Sequence, residues 1–195
     1  MKKIILILPV AALAITVVFI GCTNAQSKSH ESKPISRDSL IKRGNYLVSA
    51  IGCDDCHSPK KMGPNGPEID FERRFSGHPA GDKIGKADTS VMKNGWVLFG
   101  MDLTSAVGPW GVSYSANVTS DPTGIGNWTE EQFFRAIRRG LSKGIEGNRP
   151  LLPPMPWFVY RNLSDDDLRA IFIYLKSTKP VKNIVPQPKQ LKDLR

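Results

Sequence analysis

The chain has 195 residues, 40% of them hydrophobic, enough for one domain with an apolar core. Its formal charge is +9, so its surface favours acidic partners in a salt-sensitive way. The basic residues are scattered and no nucleic-acid motif accompanies them, which argues against nucleic acid as the partner this charge serves.

The N-terminus reads as an export leader: two lysines, an almost unbroken apolar run from Ile4 to Ile20, then Gly21 and Cys22. By length the run is long for a cleaved leader and short for a membrane span, so both remain open. The ending "FIGC" resembles a bacterial lipobox, with Phe19 where Leu is commoner, and implies cleavage before Cys22 and a lipid on it. An uncleaved anchor helix with an incidental Cys22 is the alternative. Either way the body of the chain is expected on the periplasmic side of the cell membrane or outer membrane. The expected divisions are a signal peptide over 1–21, a polar tether over 22–36, one folded domain over 37–180 and a basic, proline-containing tail over 181–195.

From Ser36, a good N-cap, Leu40, Gly44, Leu47, Val48 and Ile51 fall on one face and predict a helix. An interior glycine costs about 1 kcal/mol against alanine, so Gly44 marks a place where another backbone packs close. This helix leads into "CDDCH". Cys53 and Cys56 have no other thiol downstream of the leader, which excludes a disulfide scaffold. A zinc site would crowd Cys53, Cys56 and His57 into five residues and take a fourth ligand from His30 or His78 at irregular spacing. A thioredoxin-like redox pair needs a preceding strand, and the preceding segment is helical. What survives is C-x-x-C-H, the attachment signature of haem c, in which both thiols take vinyl groups and His57 ligates iron. Export and haem attachment support each other. Asp54 and Asp55 within the motif read as solvated.

Residues 58–128 are rich in Gly and Pro and read mostly as loop, with "WVLFGM" and "GVSYSANV" able to make a small hairpin. His78, in "SGHPAGDKIG", reads as a surface loop histidine. A second helix is predicted from Thr129 as N-cap, with Glu130 and Glu131 in its first turn, Gln132 at the capping-box position and an apolar stripe of Phe133, Ala136, Ile137 and Leu141; it ends near Gly140 to Gly144. The sixth iron ligand decides between electron transfer and small-molecule chemistry. Among the methionines, Met155 stands out because Pro150, Pro153, Pro154 and Pro156 stiffen its loop. Met62, Met92 and Met101 read as core filler. A last helix opens at Ser164, with Asp167 completing the box and Leu168, Ile171, Phe172 and Leu175 on one face. After Thr178 the tail reads as extended over the surface or loose. N-x-S/T matches at Asn117, Asn127 and Asn162 carry no glycosylation, since Thr129 and Ser164 serve as caps and the leader is bacterial in type.

The stretches "RGNYLVSAIGCDDCH", "SANVTSDPTGIGNWTEEQFFRAIRRG" and "RPLLPPMPWFVYRNLSDDDLRAIFIYLKS" resemble class I c-type cytochromes, and among them the cytochrome domains of membrane-bound alcohol and sugar-acid dehydrogenases. The resemblance spans roughly residues 37–178. It implies an all-α fold of three to five helices around one haem, with a long loop or small hairpin inserted between the haem motif and the middle helix. It also implies haem c on Cys53 and Cys56, His57 and Met155 as axial ligands, and a crossing of the terminal helices at Gly44 with Ile171 and Tyr174. With one C-x-x-C-H the chain is expected to carry a single haem. The function implied is that of a membrane-anchored electron carrier rather than an enzyme, with redox proteins of acidic docking surface as partners. A haem enzyme or gas sensor with an open distal position, using His78 as acid or base, is the competing reading. A zinc-bound or thiol-redox module is a third.

Overall fold

A computed structural model describes residues 35–194. The leader, Cys22, His30 and nearly all of the tether lie outside the described residues. Helix α1 (Arg37–Ala50) starts where expected, with the Ser36 hydroxyl accepting from the Ser39 N–H, and it buries Gly44, Leu47 and Val48. A left-handed Gly52 at φ 76° turns the chain into the one-turn helix α2 (Cys53–His57). Helix α3 (Glu130–Arg139) is capped by Thr129 and stopped by Gly140 at φ 63°. A short α4 (Trp157–Tyr160) follows the proline loop. Helix α5 (Asp165–Lys176) is capped by Ser164 and buries Leu168, Ile171, Phe172 and Leu175, as its spacing requires.

Helices α1 and α5 cross at Gly44. A methyl group there would lie 2.1 Å from the Ala170 carbonyl oxygen and 2.5 Å from Tyr174 Cβ. The close approach is therefore made with Ala170 and Tyr174, one residue from the expected Ile171. Val48, Phe75, Phe133 and Leu168 lie in the core that these helices and the loop before α3 enclose.

The all-α expectation is overturned. Two small antiparallel sheets join the helices, and the fold is mixed α and β. Strands β1 (Lys60–Gly63) and β2 (Gly66–Ile69) form a hairpin closed by Pro64 and Asn65. Strands β3 (Leu98–Phe99), β4 (Ser105–Gly108) and β5 (Gly111–Tyr114) form a second sheet in that order, with Val107 opposite Val112 and Gly108 opposite Gly111. All four residues of β4 and the first three of β5 are buried. Strands so short and covered on both faces show no alternation of apolar and polar residues, so the pattern that reveals a strand is missing.

The tail is neither loose nor detached. Lys189 bridges Val112 on the free edge of β5, and residues 178–183 lie along the loops that precede α3. A 3₁₀ turn at Leu191–Leu194 closes the described chain.

Candidate haem site

The site is built on α2. One helical turn places Cys53 and Cys56 on the same side, and neither is in a disulfide. Burial pushes the Cys53 thiol up to about 12, with the Asp54 charge adding to it, and burial also raises Cys56. Both thiols are therefore protonated at neutral pH. His57 is lowered by burial, against the opposing effect of its bond to Ala116. Its neutral ring donates Nδ1–H to the Ala116 carbonyl at 2.8 Å, which leaves the Nε2 lone pair for a metal.

Three sets of contacts hold this turn. Lys60 Nζ donates to the Ser58 carbonyl at 2.8 Å, to the Asp54 carbonyl at 3.1 Å and to the Asp55 carbonyl, so it caps the helix and satisfies its terminal acceptors. Asp54 is only 7% exposed; Arg74 grips it with Nε to Oδ1 at 2.8 Å and NH2 to Oδ2 at 2.6 Å. Ser58 donates to the same Oδ1 and accepts the Phe75 N–H, and the Arg74 guanidinium stacks over the Phe75 ring. The reading of Asp54 as solvated is thus corrected, whereas Asp55 is exposed. Third, the Tyr160 hydroxyl donates to the Ile51 carbonyl at 2.6 Å, tying α4 to the start of the motif.

That last bond brings the methionine loop to the haem motif. Leu151 N–H donates to the Gly140 carbonyl at 2.6 Å, Ser113 Oγ donates to the Pro153 carbonyl at 2.6 Å, and Met155 N–H donates to Leu152. Met155 and Cys53 are partly buried, and both pack against the main core together with Trp128, Phe134 and Leu163. Met62 and Met101 are 70% and 82% exposed, so neither fills the core.

His78 is not a surface residue. It is 4% exposed, its Nδ1 donates to Thr104 Oγ1 at 2.8 Å and its ring packs 4.8 Å from that of Tyr114. Thr104 Oγ1 in turn donates to Asp102. His78 Nε2 is sealed from solvent and has no hydrogen-bond partner among the described residues. The loop pattern gave no signal for this burial.

The donor set fits haem c: two neutral thiols one turn apart, an imidazole whose tautomer is fixed through Nδ1, and a thioether on the same core. Among the described residues no group of three or more His, Cys, Asp and Glu side chains converges as a metal site, so zinc has no supporting cluster. Sequence reasoning passed over the Ala116 carbonyl, Lys60 and Arg74. Lys60 sits three residues beyond His57, close enough to be suspected as a cap, whereas Arg74 is twenty residues from Asp54 and nothing local announces it.

The C-x-x-C-H motif with this donor set is the arrangement of a c-type cytochrome domain, and the relatives agree. No protein-family model matches the chain. It is 32% identical over 185 residues to the fructose dehydrogenase cytochrome subunit of Gluconobacter japonicus, an alignment that covers 93% of this chain and 30% of that one. It is 30% identical over 173 residues to the cytochrome c subunit of the quinone alcohol dehydrogenase of Gluconobacter oxydans, covering 88% and 27%. Over 140 residues it is 31% identical to the cytochrome c subunit of the gluconate 2-dehydrogenase of Pantoea cypripedii, covering 71% and 23%. The chain is a homologue of the cytochrome c subunits of dehydrogenases, and it spans less than a third of the length of these relatives. By name these relatives are cytochrome subunits of dehydrogenases, in agreement with the expectation of an electron-transfer protein rather than an enzyme.

Proposed function

We infer that the chain is a membrane-anchored, periplasm-facing electron carrier with one haem c, held through Cys53 and Cys56 and ligated by His57 and Met155. The observation that carries this reading is the His57 Nδ1–Ala116 bond, which orients the imidazole and reserves Nε2. The haem supplies a one-electron ferric/ferrous couple when bound, and the thiols add across its vinyl groups without changing the protein's redox state. Everything else falls to the chain. Ser113, Gly140 and Tyr160 pin the Met155 loop and the helix after it, so the thioether is held in place when the charge on the iron changes. Lys60 keeps positive charge beside the motif, which favours the ferrous form, whereas the charge of Arg74 is balanced by Asp54.

The proposed layout is a leader over 1–21, lipid on Cys22, a tether to residue 36, the cytochrome domain over 37–180 and the tail. The leader and the C-x-x-C-H motif support it together, since c-type haem is attached outside the bacterial cytoplasm. For the partner we propose a dehydrogenase that feeds electrons in, with another cytochrome or a terminal acceptor taking them out. Exposed Phe158 and Val159 lie just after the Met155 loop, and among the described residues Arg161, two positions further on, makes no salt bridge. An apolar patch edged by an uncompensated arginine suits an acidic docking face. For the enzyme or sensor reading His78 is poorly placed as acid or base, because it is buried away from solvent and its Nδ1 is engaged with Thr104.

The test is the visible spectrum of the purified protein. The ferric form is expected to show a red iron–thioether charge-transfer band that disappears in Met155→Ala, together with slow carbon monoxide binding in the unmodified ferrous protein. A high-spin resting spectrum with rapid carbon monoxide binding contradicts the assignment of Met155.

A further inference from the structure

The tail, expected to be extended over the surface or loose, is fastened to the two loops that hold His57. Those loops are Ser76–Ala80 and Ser115–Thr119, and they are zipped to one another: His78 N–H donates to the Ser115 carbonyl at 2.9 Å and Val118 N–H to the Phe75 carbonyl at 2.9 Å. Between these bonds Gly77, at φ 73°, donates its N–H to the His57 carbonyl at 2.8 Å. Its Cα presses on the Ala116 peptide so closely that a Cβ would lie 2.6 Å from the Ala116 carbonyl oxygen. Gly77 therefore touches both ends of the His57–Ala116 bond.

Asn183, in the tail, clamps Gly77 from outside. Its Nδ2 donates to the Ser76 carbonyl at 2.7 Å and to the His78 carbonyl at 2.9 Å, the two acceptors that flank Gly77, and its Oδ1 accepts the Ala80 N–H at 2.9 Å. The other loop is gripped as well. Buried Asn117 donates to the Val181 carbonyl at 2.8 Å, and the Asn183 N–H donates to Thr123 Oγ1 at 3.0 Å. A side-chain amide that gives both of its donors and its acceptor to a single loop has little freedom to adjust.

We propose that Asn183 is a positioning residue for the axial histidine: the tail segment Val181–Asn183 sets the Ala116 carbonyl against His57 and so tunes the reduction potential. This rests on His57 being an iron ligand. A firm Nδ1–H···O bond gives the imidazole more donor character, which stabilises ferric iron. Loosening the clamp weakens that bond and raises the potential.

The test uses the haem-loaded protein. Asn183→Ala and Asn183→Asp both lose the two donors to Ser76 and His78, and both are expected to raise the midpoint potential and move the His57 ring resonances in the paramagnetic proton spectrum. A chain ending at Asn183 loses the Val112–Lys189 bridge; it is expected to melt earlier while keeping the unmodified potential. Exchange in the unmodified protein needs no variant: corrected for intrinsic rates, the Asn183 side-chain amide protons should exchange as slowly as the Gly77 amide. Asn183 variants that melt earlier with an unchanged potential and unchanged His57 resonances overturn the proposal, as do Asn183 amide protons that exchange far faster than Gly77. Unmodified protein without covalent haem would instead remove the reading on which it rests.

Discussion

Gly44→Ala sets two effects of opposite sign against each other. In an exposed helix the substitution stabilises by about 1 kcal/mol, because alanine has less backbone entropy to lose. At this crossing the new Cβ lies 2.1 Å from the Ala170 carbonyl oxygen and 2.5 Å from Tyr174 Cβ, whereas ordinary contact begins at 3.4 Å. The nearer neighbour must retreat by about 1.3 Å, and it is α5 backbone rather than the free end of a side chain. Overpacking a core costs about 1–3 kcal/mol, and a rigid neighbour puts this case at about 3. The clash therefore wins, leaving a net loss of about 2 kcal/mol. At roughly 3 °C per kcal/mol for a domain of this size, the melting midpoint should fall by about 6 °C. Urea unfolding of the haem-loaded protein, followed by circular dichroism and by the Soret band, measures it. An alanine variant as stable as the parent, or more so, would refute the crossing and everything placed by it.

Three other outcomes follow from the same geometry. Arg74→Met leaves the Asp54 carboxylate buried without its bidentate partner and should cost about 3 kcal/mol in denaturant unfolding, much of it recovered in the double variant Asp54→Asn/Arg74→Met. Lys60→Met removes a cap and a positive charge from the end of the motif helix; potentiometry should show a lower midpoint potential, since the ferric form is then less disfavoured. The hydrogen bond from Arg43 holds the Asp167 carboxyl below its usual 3.8. A depressed carboxylate contributes stability above its unfolded value and loses it as the pH falls through its folded value. Arg43→Ala should accordingly be less stable than the parent at neutral pH, and the two melting curves should converge as the pH drops below the ordinary aspartate range.

The long helices were legible because each carries its own punctuation. Ser36, Thr129 and Ser164 all accept the backbone N–H three residues on, and Gly140 ends α3 in the left-handed conformation. The boxes were only half right. Gln132 reaches across to the Lys143 carbonyl and Asp167 pairs with Arg43, so neither returns to its cap. The haem motif was legible because its chemistry is written in five consecutive residues. What stayed hidden depends on partners distant in the chain. Asp54 looks solvated until Arg74 is beside it, and His78 looks like a loop residue until Thr104 and Tyr114 enclose it. The stretches "WVLFGM" and "GVSYSANV" do hold β3 and β5, but β4 lies between them, and neither β4 nor the β1–β2 hairpin was legible because strands of four residues hold less than the pattern needed to see them; the tail stayed hidden because its attachments are side-chain amides rather than an apolar stripe.

Electron transfer by this chain requires a porphyrin bound to Cys53 and Cys56, with His57 on its iron. Expression in a host competent to mature c-type haem, followed by denaturation in acidified solvent and an alkaline pyridine spectrum of the precipitated chain, tests it most directly. One haem per chain should stay with the polypeptide and be lost when both cysteines become alanine. Colourless protein, or haem that washes free of the unmodified chain, would contradict it.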